Sequence, residues 1–476
     1  MDTVSSDGRV TIKRQHAVKF RVLALLSLLS AVCLLPPGAR ARETPIDLRL
    51  VSAAAARQHL HELAADLEQY YPYLKTHQER ARFDARVKRL DSSVHGLIPT
   101  WREWLLQDEL IRSLNDPHAE LFVSWLEDRA LPVKLHWVSN GLLISPEPWL
   151  HSPPFPKNSE VLRIGNEKPG RLLTRLEKLY SGTPGWVAYG AGSMLRYAFE
   201  LRWLGLMHGM QPVVLTLRTP RGQVDHIRMV AAALPNSKSL VKRQHGKPWF
   251  SWSLDERHDV GWFSLDSMRL TRPYERAVAA FFAAVENAGI NRVVVDLRNN
   301  GGGNSLAEAP FMQYIGIERI QDYSTKQYFD AAHLRQEVQQ SNREMRKLAR
   351  PGSVIQPLPP PPQPPAGRIF HGHFFVVTGP GTFSSAMEFA ADVKFNHIGT
   401  IVGLPPGEVV TGPGNVTGFL HPPSGVPFQV PTTVFTWPGL HAGALVEPDV
   451  TIPLTVTDVQ KGIDPVRRWF DSHMGG

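Results

Sequence analysis

The segment RVVVDLRNNGGGN, residues 292–304, predicts the centre of the fold. Its apolar run is typical of a strand buried on both faces of a parallel sheet. Three glycines, Gly301–Gly303, follow it, and glycine lets several backbone N–H groups point into one concavity. Such a turn suits a phosphate or a developing oxyanion, or it is only a tight strand-to-helix connection. It is neither a P-loop nor a dinucleotide turn, because no Gly-Lys-Ser/Thr or GxGxxG pattern is present.

A second segment, HFFVVTGPGTFSSAMEF at residues 373–389, predicts a strand, a glycine-containing turn and the start of a helix. Ser384 and Ser385 would then lie at the helix N-terminus, where the dipole and free N–H groups favour negative charge. Serine at that place is most often only a cap. Two adjacent serines allow both roles, with Ser384 near the cap and Ser385 facing a site.

The remaining sequence suggests an ordered set of domains. Leucines and aromatic residues at spacings of three or four predict helices over residues 46–127, and short β-prone runs broken by proline and glycine follow them. An α/β rhythm begins at Trp249, and short strands return from Gly414 to Pro453. The predicted division is a signal peptide at 1–41, a helical domain at 42–130, a small β-rich domain at 131–235, and an α/β core at 236–476 with a proline-rich insertion near 351–367.

The N-terminus is typical of an export signal. A basic region precedes the apolar run Val22–Leu35, and Ala39-Arg40-Ala41 supplies a cleavage pattern. We expect a periplasmic or secreted protein; the alternative is an uncleaved segment that tethers it to the inner membrane. Cleavage removes six basic and two acidic residues and lowers the net charge from +8 to +4, which argues against a nucleic-acid partner. It also removes Cys33, the single cysteine, and with it any thiolate metal site.

Five short motifs together resemble the tail-specific, or C-terminal processing, serine peptidase family. They are DLRNNGGG at 296–303, TFSSAME at 382–388, EPD at 447–449, GIDP at 462–465, and NDPH at 115–118 in place of an Asp-Gly-His-Thr element. The resemblance is greatest to the branch with tricorn-core-like and interphotoreceptor-retinoid-binding-protein-like members. It implies an α/β, crotonase-like (ClpP/crotonase) catalytic core, an N-terminal helical domain and a small PDZ-like β domain that contains Glu160–Asn166.

The resemblance also assigns the site. The family's nucleophile falls on Ser385, and its oxyanion-hole N–H donors fall on Gly302, or Gly301, and on Ala386. The tail-specific branch activates its serine with a lysine about 25 residues downstream, but residues 401–410 contain none. Lys394 lies nine residues along the predicted helix and would point away from Ser385.

We therefore expect His118 to act as the base, since imidazole titrates near neutrality and accepts a serine proton. The family's orienting glutamate would lie within residues 440–444, which hold no carboxylate. Glu408 and Glu447 are near in sequence, but neither matches the family position.

The sequence thus predicts an exported serine peptidase that hydrolyses protein or peptide substrates through a Ser–His pair, without a cofactor or a metal. His371 and His373 form a His-x-His pair without a positioned carboxylate, and we interpret them as polar residues at a strand edge. The alternative function is a catalytically impaired homologue that binds peptides or apolar ligands; the missing glutamate and the 12 tryptophans favour it modestly.

Overall fold

The structure is a computed structural model, and the parts of the chain that it describes are residues 49–75, 77–122, 129–147, 154–233, 248–317, 324–327, 369–421 and 426–473. The predicted signal peptide, Cys33 and the proline-rich insertion lie outside these ranges. Within them, no helix combines the length and the apolar character needed to cross a membrane.

The N-terminal part is mainly helical, as its apolar spacing predicts. Its elements are β1 (Leu50–Ser52), α1 (Ala53–Tyr70), a 3-10 turn (Pro72–Lys75), α2 (His77–Ser92), β2 (Leu97–Pro99), α3 (Thr100–Arg112), β3 (Glu120–Leu121) and β4 (Arg129–Ala130). The Ser52 side chain caps α1 by accepting a hydrogen bond from the Ala55 N–H. After α3 the chain turns at Asn115, which has a φ of 52°, and reaches His118 before β3 begins.

Residues 133–229 form a separate sheet with its own helices, which we call the small β unit. Its elements are β5 (Val133–Val138), β6 (Gly141–Pro146), β7 (Ser159–Ile164), α4 (Pro169–Glu177), α5 (Pro184–Met194), α6 (Ala198–Trp203), β8 (Val213–Arg218) and β9 (Val224–Met229). The five strands are antiparallel and follow chain order across the sheet. A short strand, β10 (Ala232–Ala233), then pairs with β4.

The prediction of a mostly β region between 131 and 235 is wrong in one respect, because α4, α5 and α6 lie within it. The cluster Gly182-Thr183-Pro184-Gly185 indicates a break in the sequence, yet it is the beginning of α5. Thr183 is the N-cap, and Pro184 occupies the first helical position. Proline is tolerated there because that N–H needs no helical acceptor.

The C-terminal half carries a six-stranded sheet and a long hairpin. Its elements are β11 (Phe250–Asp255), β12 (Val260–Leu265), α7 (Arg272–Asn287), β13 (Arg292–Asp296), α8 (Ala309–Ile315), β14 (Ser324–Gln327), β15 (His373–Thr378), α9 (Ser385–Phe395), β16 (Thr400–Gly403), β17 (Gly412–His421), β18 (Val426–Thr436), β19 (Val450–Thr451), α10 (Val456–Lys461) and α11 (Pro465–His473). The sheet order is β11-β12-β13-β15-β16-β19, and all neighbours except β11 and β12 are parallel.

Alternate residues of the central strands enter two different cores. Val293 and Val295 of β13 pack in the core that includes residues of α7, α8 and α9. Val294 packs on the other face of the sheet with Val466 and Phe470 of α11. The apolar run at 293–295 therefore reflects burial on both faces, as the sequence predicts.

The hairpin of β17 and β18 differs from the short strands expected after Gly414. Its strands have ten and eleven residues and belong to a second sheet, in which β18 also pairs with β14 and β3. Its apolar side chains explain the length, because Val426, Phe428 and Val430 enter the core of the N-terminal helices. The hairpin thereby fixes the segment that carries His118 to the C-terminal half.

Arg112, at the end of α3, joins the N-terminal helices to the small β unit. It pairs with Asp108, and its Nη2 lies 3.9 Å from Glu200 Oε1. Its guanidinium stands 3.8 Å from the ring centre of Tyr180 and 4.4 Å from that of Trp203.

We predict that Arg112→Ala lowers the free energy of unfolding by about 3 kcal/mol, because it leaves buried carboxylates without their cation. Arg218→Ala is the control, since Arg218 pairs with Glu160 at the surface and such pairs contribute about 1 kcal/mol or less. Denaturant unfolding followed by tryptophan fluorescence measures both variants. Equal losses for the two would contradict a structural role for the buried pair.

Candidate active site

Two turns meet at the carboxyl edge of the six-stranded sheet. The glycine turn, residues 297–304, follows β13, and the serine turn, residues 379–385, follows the adjacent parallel strand β15. The Thr382 hydroxyl donates a hydrogen bond to the Leu297 carbonyl (2.8 Å), and the Phe383 N–H donates to the Asn300 carbonyl (3.0 Å). The two motifs identified in the sequence are therefore held together by direct hydrogen bonds.

Gly302 is a point of close approach between the two turns. Its φ is +93°, a conformation that favours glycine. A Cβ at this position would lie 2.7 Å from both the Phe383 carbonyl oxygen and the Ser384 Cβ. Close packing on the serine turn thus explains why residue 302 is glycine.

Ser385 is the first residue of α9 and is only 4% exposed. Its Oγ has no hydrogen-bond partner among the described residues. The preceding residue, Ser384, has φ 53° and ψ −131°, an unfavourable backbone conformation for a side chain with a Cβ. Strain of this kind is concentrated at functional sites, because the surrounding structure must hold it in place.

His118 lies beside the serine turn, although it precedes that turn by more than 260 residues. Its ring contacts the ring of Phe383, with the centroids 4.7 Å apart. The Asp116 carboxylate accepts a hydrogen bond from the His118 backbone N–H (2.8 Å), which fixes the short turn before the ring. The structure therefore brings His118 and Ser385, the two residues proposed from the sequence, to one region of the molecule.

Glu408 is the site residue that sequence reasoning missed. Its Oε1 lies 3.3 Å from Nδ1 of His118, and its Oε2 accepts a hydrogen bond from the Ser384 N–H (2.7 Å). The position of Glu408 in the sequence does not match the family's glutamate, but the loop after β16 returns to the serine turn and brings its carboxylate beside His118. A signal was present in the sequence: Glu408 lies within the segment where the tail-specific branch has its lysine. Glu447, in contrast, is exposed.

Burial and charge act in opposite directions on the histidine. Burial alone lowers the pKa of His118, but the carboxylates of Glu408 and Asp116 outweigh it and raise the pKa to about 9. Burial raises the pKa of the Glu408 carboxyl, while His118 and the Ser384 N–H act against that rise. The pair thus stabilises a protonated imidazole.

The N–H groups proposed for the oxyanion hole already have acceptors. Gly302 donates to the Asn300 side chain (2.9 Å), and Ala386 donates to the Phe383 carbonyl (3.2 Å). No acceptor for the N–H of Gly301 or Gly303 is present among the described residues. The oxyanion assignment stays a prediction.

Several other residues that the sequence analysis considered pair with groups other than Ser385, His118 and Glu408. Arg298 donates to Asp296 and to both carboxylate oxygens of Asp464, which ties the glycine turn to the start of α11. Lys394 pairs with Asp449. His373 is the first residue of β15, His371 precedes it by two residues, and both are exposed. Elsewhere, Asp255, His258 and Asp471 bring their ligand atoms within 4.8 Å of one another, but they are partly or fully exposed.

A cavity of about 700 Å³ opens beside the His118–Glu408 pair. Its walls come from the start of α2, the loop before His118 and the residues after Glu408. Tyr71, Tyr73 and Phe83 supply aromatic surface, whereas Arg82 and Glu79 supply charge. The cavity is wide enough to accept a side chain of a bound peptide.

A buried serine at a helix N-terminus, with an imidazole and a carboxylate close by, is the set of groups that serine hydrolases use. Residues 259–452 match the model of the peptidase family S41. The match confirms the resemblance found in the sequence: residues 259–452 of this chain are similar to the tail-specific serine peptidases, family S41.

Solved structures extend the likeness of fold beyond this core. Mature CPAF shares 14% sequence identity at a TM-score of 0.63, covering 89% of this chain and 97% of CPAF. The structure of mature CPAF complexed with lactacystin shares 15% sequence identity at a TM-score of 0.62. The match covers 89% of this chain and 98% of that chain. The photosystem II D1 C-terminal processing protease shares 11% sequence identity, and the match covers 88% of this chain and 97% of that chain. Its TM-score is only 0.42. No curated protein sequence matches this chain.

We predict that Gly302→Ala disrupts the contact of the two turns, because the added Cβ meets backbone at 2.7 Å and φ is positive. Gly301→Ala is the matched control, since a Cβ at Gly301 has no atom within 4 Å. Thermal unfolding should show a fall of several degrees for Gly302→Ala alone. Equal melting temperatures for the two variants would show that the contact is not tight.

We also predict that Glu408→Gln lowers the pKa of His118, because it removes the largest favourable charge on the imidazolium. The midpoint in the parent protein should lie near 9 and should fall toward the ordinary value of about 6.5 in the variant. An NMR titration of the histidine ring signals measures this midpoint, and the His118→Gln variant identifies the signal that belongs to His118. Glu447→Gln is the control, and an equal shift there would contradict the assignment to Glu408.

Proposed function

We propose that this protein is an exported serine peptidase in which Ser385 is the nucleophile, His118 the base and Glu408 the carboxylate that orients the base. The supporting observation is the position of Glu408 between the His118 ring and the Ser384 N–H. A carboxylate on Nδ1 leaves Nε2 to accept the serine proton. The pairing of Lys394 with Asp449 also favours a Ser–His over a Ser–Lys mechanism.

In acylation, one proton moves from Ser385 to His118 and from there to the leaving group. Neutral His118 takes the Ser385 proton as Oγ attacks the substrate carbonyl, and the resulting imidazolium protonates the leaving amine. In deacylation, water attacks the carbonyl of the acyl-enzyme while His118 takes a proton from that water. His118 then returns the proton to the Ser385 Oγ as the product acid leaves. Because only neutral imidazole can act as base, a raised pKa means that acylation accelerates as pH rises through the pKa of His118.

The oxyanion would form between the two turns. Gly302 and Ala386 remain the proposed donors, with Gly301 as an alternative, and α9 adds the dipole of its N-terminus. In this account the substrate oxygen replaces Asn300 as the acceptor of the Gly302 N–H. Such an exchange costs little when one acceptor replaces another of similar geometry.

The substrates are proteins or peptides, as the family implies. We propose that the small β unit is the PDZ-like domain that collects them and that the six-stranded sheet with its helices is the crotonase-like core. The cavity beside His118 would receive a substrate side chain. Export by residues 1–41 places the enzyme in the periplasm or outside the cell, or on the membrane if the segment remains uncleaved.

A binding protein is the second candidate. The observation that favours it is the absence, among the described residues, of a hydrogen bond to the Ser385 Oγ or to either ring nitrogen of His118. A site in this state would hold a peptide without turnover. Catalytic hydrogen bonds are often long in an unliganded enzyme and shorten only with substrate, so both functions are compatible with this geometry.

We predict that a fluorophosphonate probe labels the purified mature protein at Ser385. Ser385→Ala should abolish labelling, and His118→Ala should slow it by at least about 10²-fold, because the hydroxyl loses its base. Ser384→Ala is the matched control, since the neighbouring hydroxyl makes no capping hydrogen bond. Mass spectrometry of the labelled peptide and the labelling rate are the measurements.

Labelling that survives Ser385→Ala would overturn the assigned nucleophile. No labelling of the parent at any pH from 6 to 10, together with tight binding of peptides, would favour the binding protein. Lactacystin, the compound bound in one CPAF structure, provides an independent competitor in the same assay.

A further inference from the structure

The beginning of α5 contacts all three segments that carry the proposed catalytic groups. We call residues 182–186 the α5 corner. A Cβ at Gly182 would lie 3.3 Å from Pro117, the residue before His118. The Thr183 hydroxyl donates a hydrogen bond (2.9 Å) to the carbonyl of Gly407, the residue before Glu408. The ring of Trp186 stacks on Phe383, two residues before Ser385, with centroids 4.0 Å apart and planes at 19°.

These contacts are close and specific to the residues involved. A Cβ at Gly407 would lie 2.8 Å from the Trp186 ring, so the tryptophan touches the Glu408 loop as well as the serine turn. Phe383 in turn contacts the His118 ring, with centroids 4.7 Å apart. The Trp186, Phe383 and His118 rings therefore form a continuous series from the small β unit to the base.

The corner is fixed at its other end to the small β unit. Val187 and Ala191 of α5 are buried in the core of that unit. A Cβ at Gly192 would lie 2.7 Å from the Leu135 carbonyl of β5, so helix and strand are in close contact. Thr183 also caps α5 by accepting from the Trp186 N–H (3.1 Å), which couples the hydroxyl to the position of the indole. The position of the α5 corner is therefore coupled to the position of α5 on the small β unit.

We propose that Thr183 and Trp186 are positioning residues that hold Glu408 and the serine turn at their working distances from His118. The small β unit is then a structural part of the active site as well as a separate sheet. The catalytic consequence rests on the proposed peptidase function. The structural consequence does not, because it concerns the arrangement of Glu408 and His118 alone.

The test compares four substitutions at the corner. Thr183→Val removes the hydroxyl at nearly constant size, and Trp186→Ala removes the stacked ring; Thr183→Ser and Trp186→Phe preserve the hydrogen bond and the stack. Val224→Ala, at an exposed position of β9, is the control in the same unit. Thermal unfolding identifies any variant that fails to fold, and the conservative pair keeps the test valid in that event.

The first measurement is the NMR titration of His118, which requires no activity. The carboxylates near the ring are those of Glu408, Asp116 and Glu388. Displacement of Glu408 should lower the titration midpoint in Thr183→Val and Trp186→Ala, whereas the serine, phenylalanine and control variants keep the parent value. An unchanged midpoint in both folded disruptive variants would overturn the positioning role, whether or not the parent reacts with a probe.

The second measurement is the rate of fluorophosphonate labelling at Ser385. A displacement of about 1 Å in a catalytic group can cost on the order of 10²-fold, so we expect losses of about 10- to 100-fold in the two disruptive variants. The conservative and control variants should stay within about threefold of the parent. A shifted midpoint with unchanged labelling overturns the catalytic consequence, and a parent that is never labelled contradicts the peptidase itself while the titration still decides the positioning role.

Discussion

The carboxylate of Glu408 connects two parts of the chain that lie in different regions of the fold. One oxygen lies beside the ring of His118, from the N-terminal helices, and the other accepts the N–H of Ser384, from the core. A buried carboxylate is costly unless it has such partners, so the loop that carries Glu408 is held where both are within reach. The strained backbone of Ser384 is then supported by a charge-assisted hydrogen bond, and α9 begins directly after it.

Much of this architecture could be predicted from local sequence. The segment 373–389 predicts a strand, a turn and the start of a helix, and the structure has β15, the serine turn and α9 in that order. The meeting of the glycine and serine turns follows from parallel pairing of β13 with β15, because parallel strands end at the same edge. Ser385 and His118 could be proposed because each occupies a motif of the family.

What could not be predicted depends on contacts between distant residues. Glu408 lies in the segment where the tail-specific branch has its lysine, but only the return of its loop to Ser384 gives this glutamate a role. The helices α4 and α5 are short and begin with Pro-Gly, so their sequence favours a turn. Packing of α5 on β5 then stabilises that helix. The hairpin of β17 and β18 is long because one part of it packs on helices that precede it by more than 300 residues, a constraint absent from the local pattern.

The pairing of β3 with β18 has a consequence for the order in which the molecule is made. Glu120 and Leu121 take their strand partners from Gln429 and Phe428, so the segment just after His118 pairs with residues that follow it by more than 300 positions. Contacts of such long sequence separation form late in folding. A growing chain therefore carries its histidine apart from its serine and glutamate. The three groups come together only after the chain has been made as far as β18.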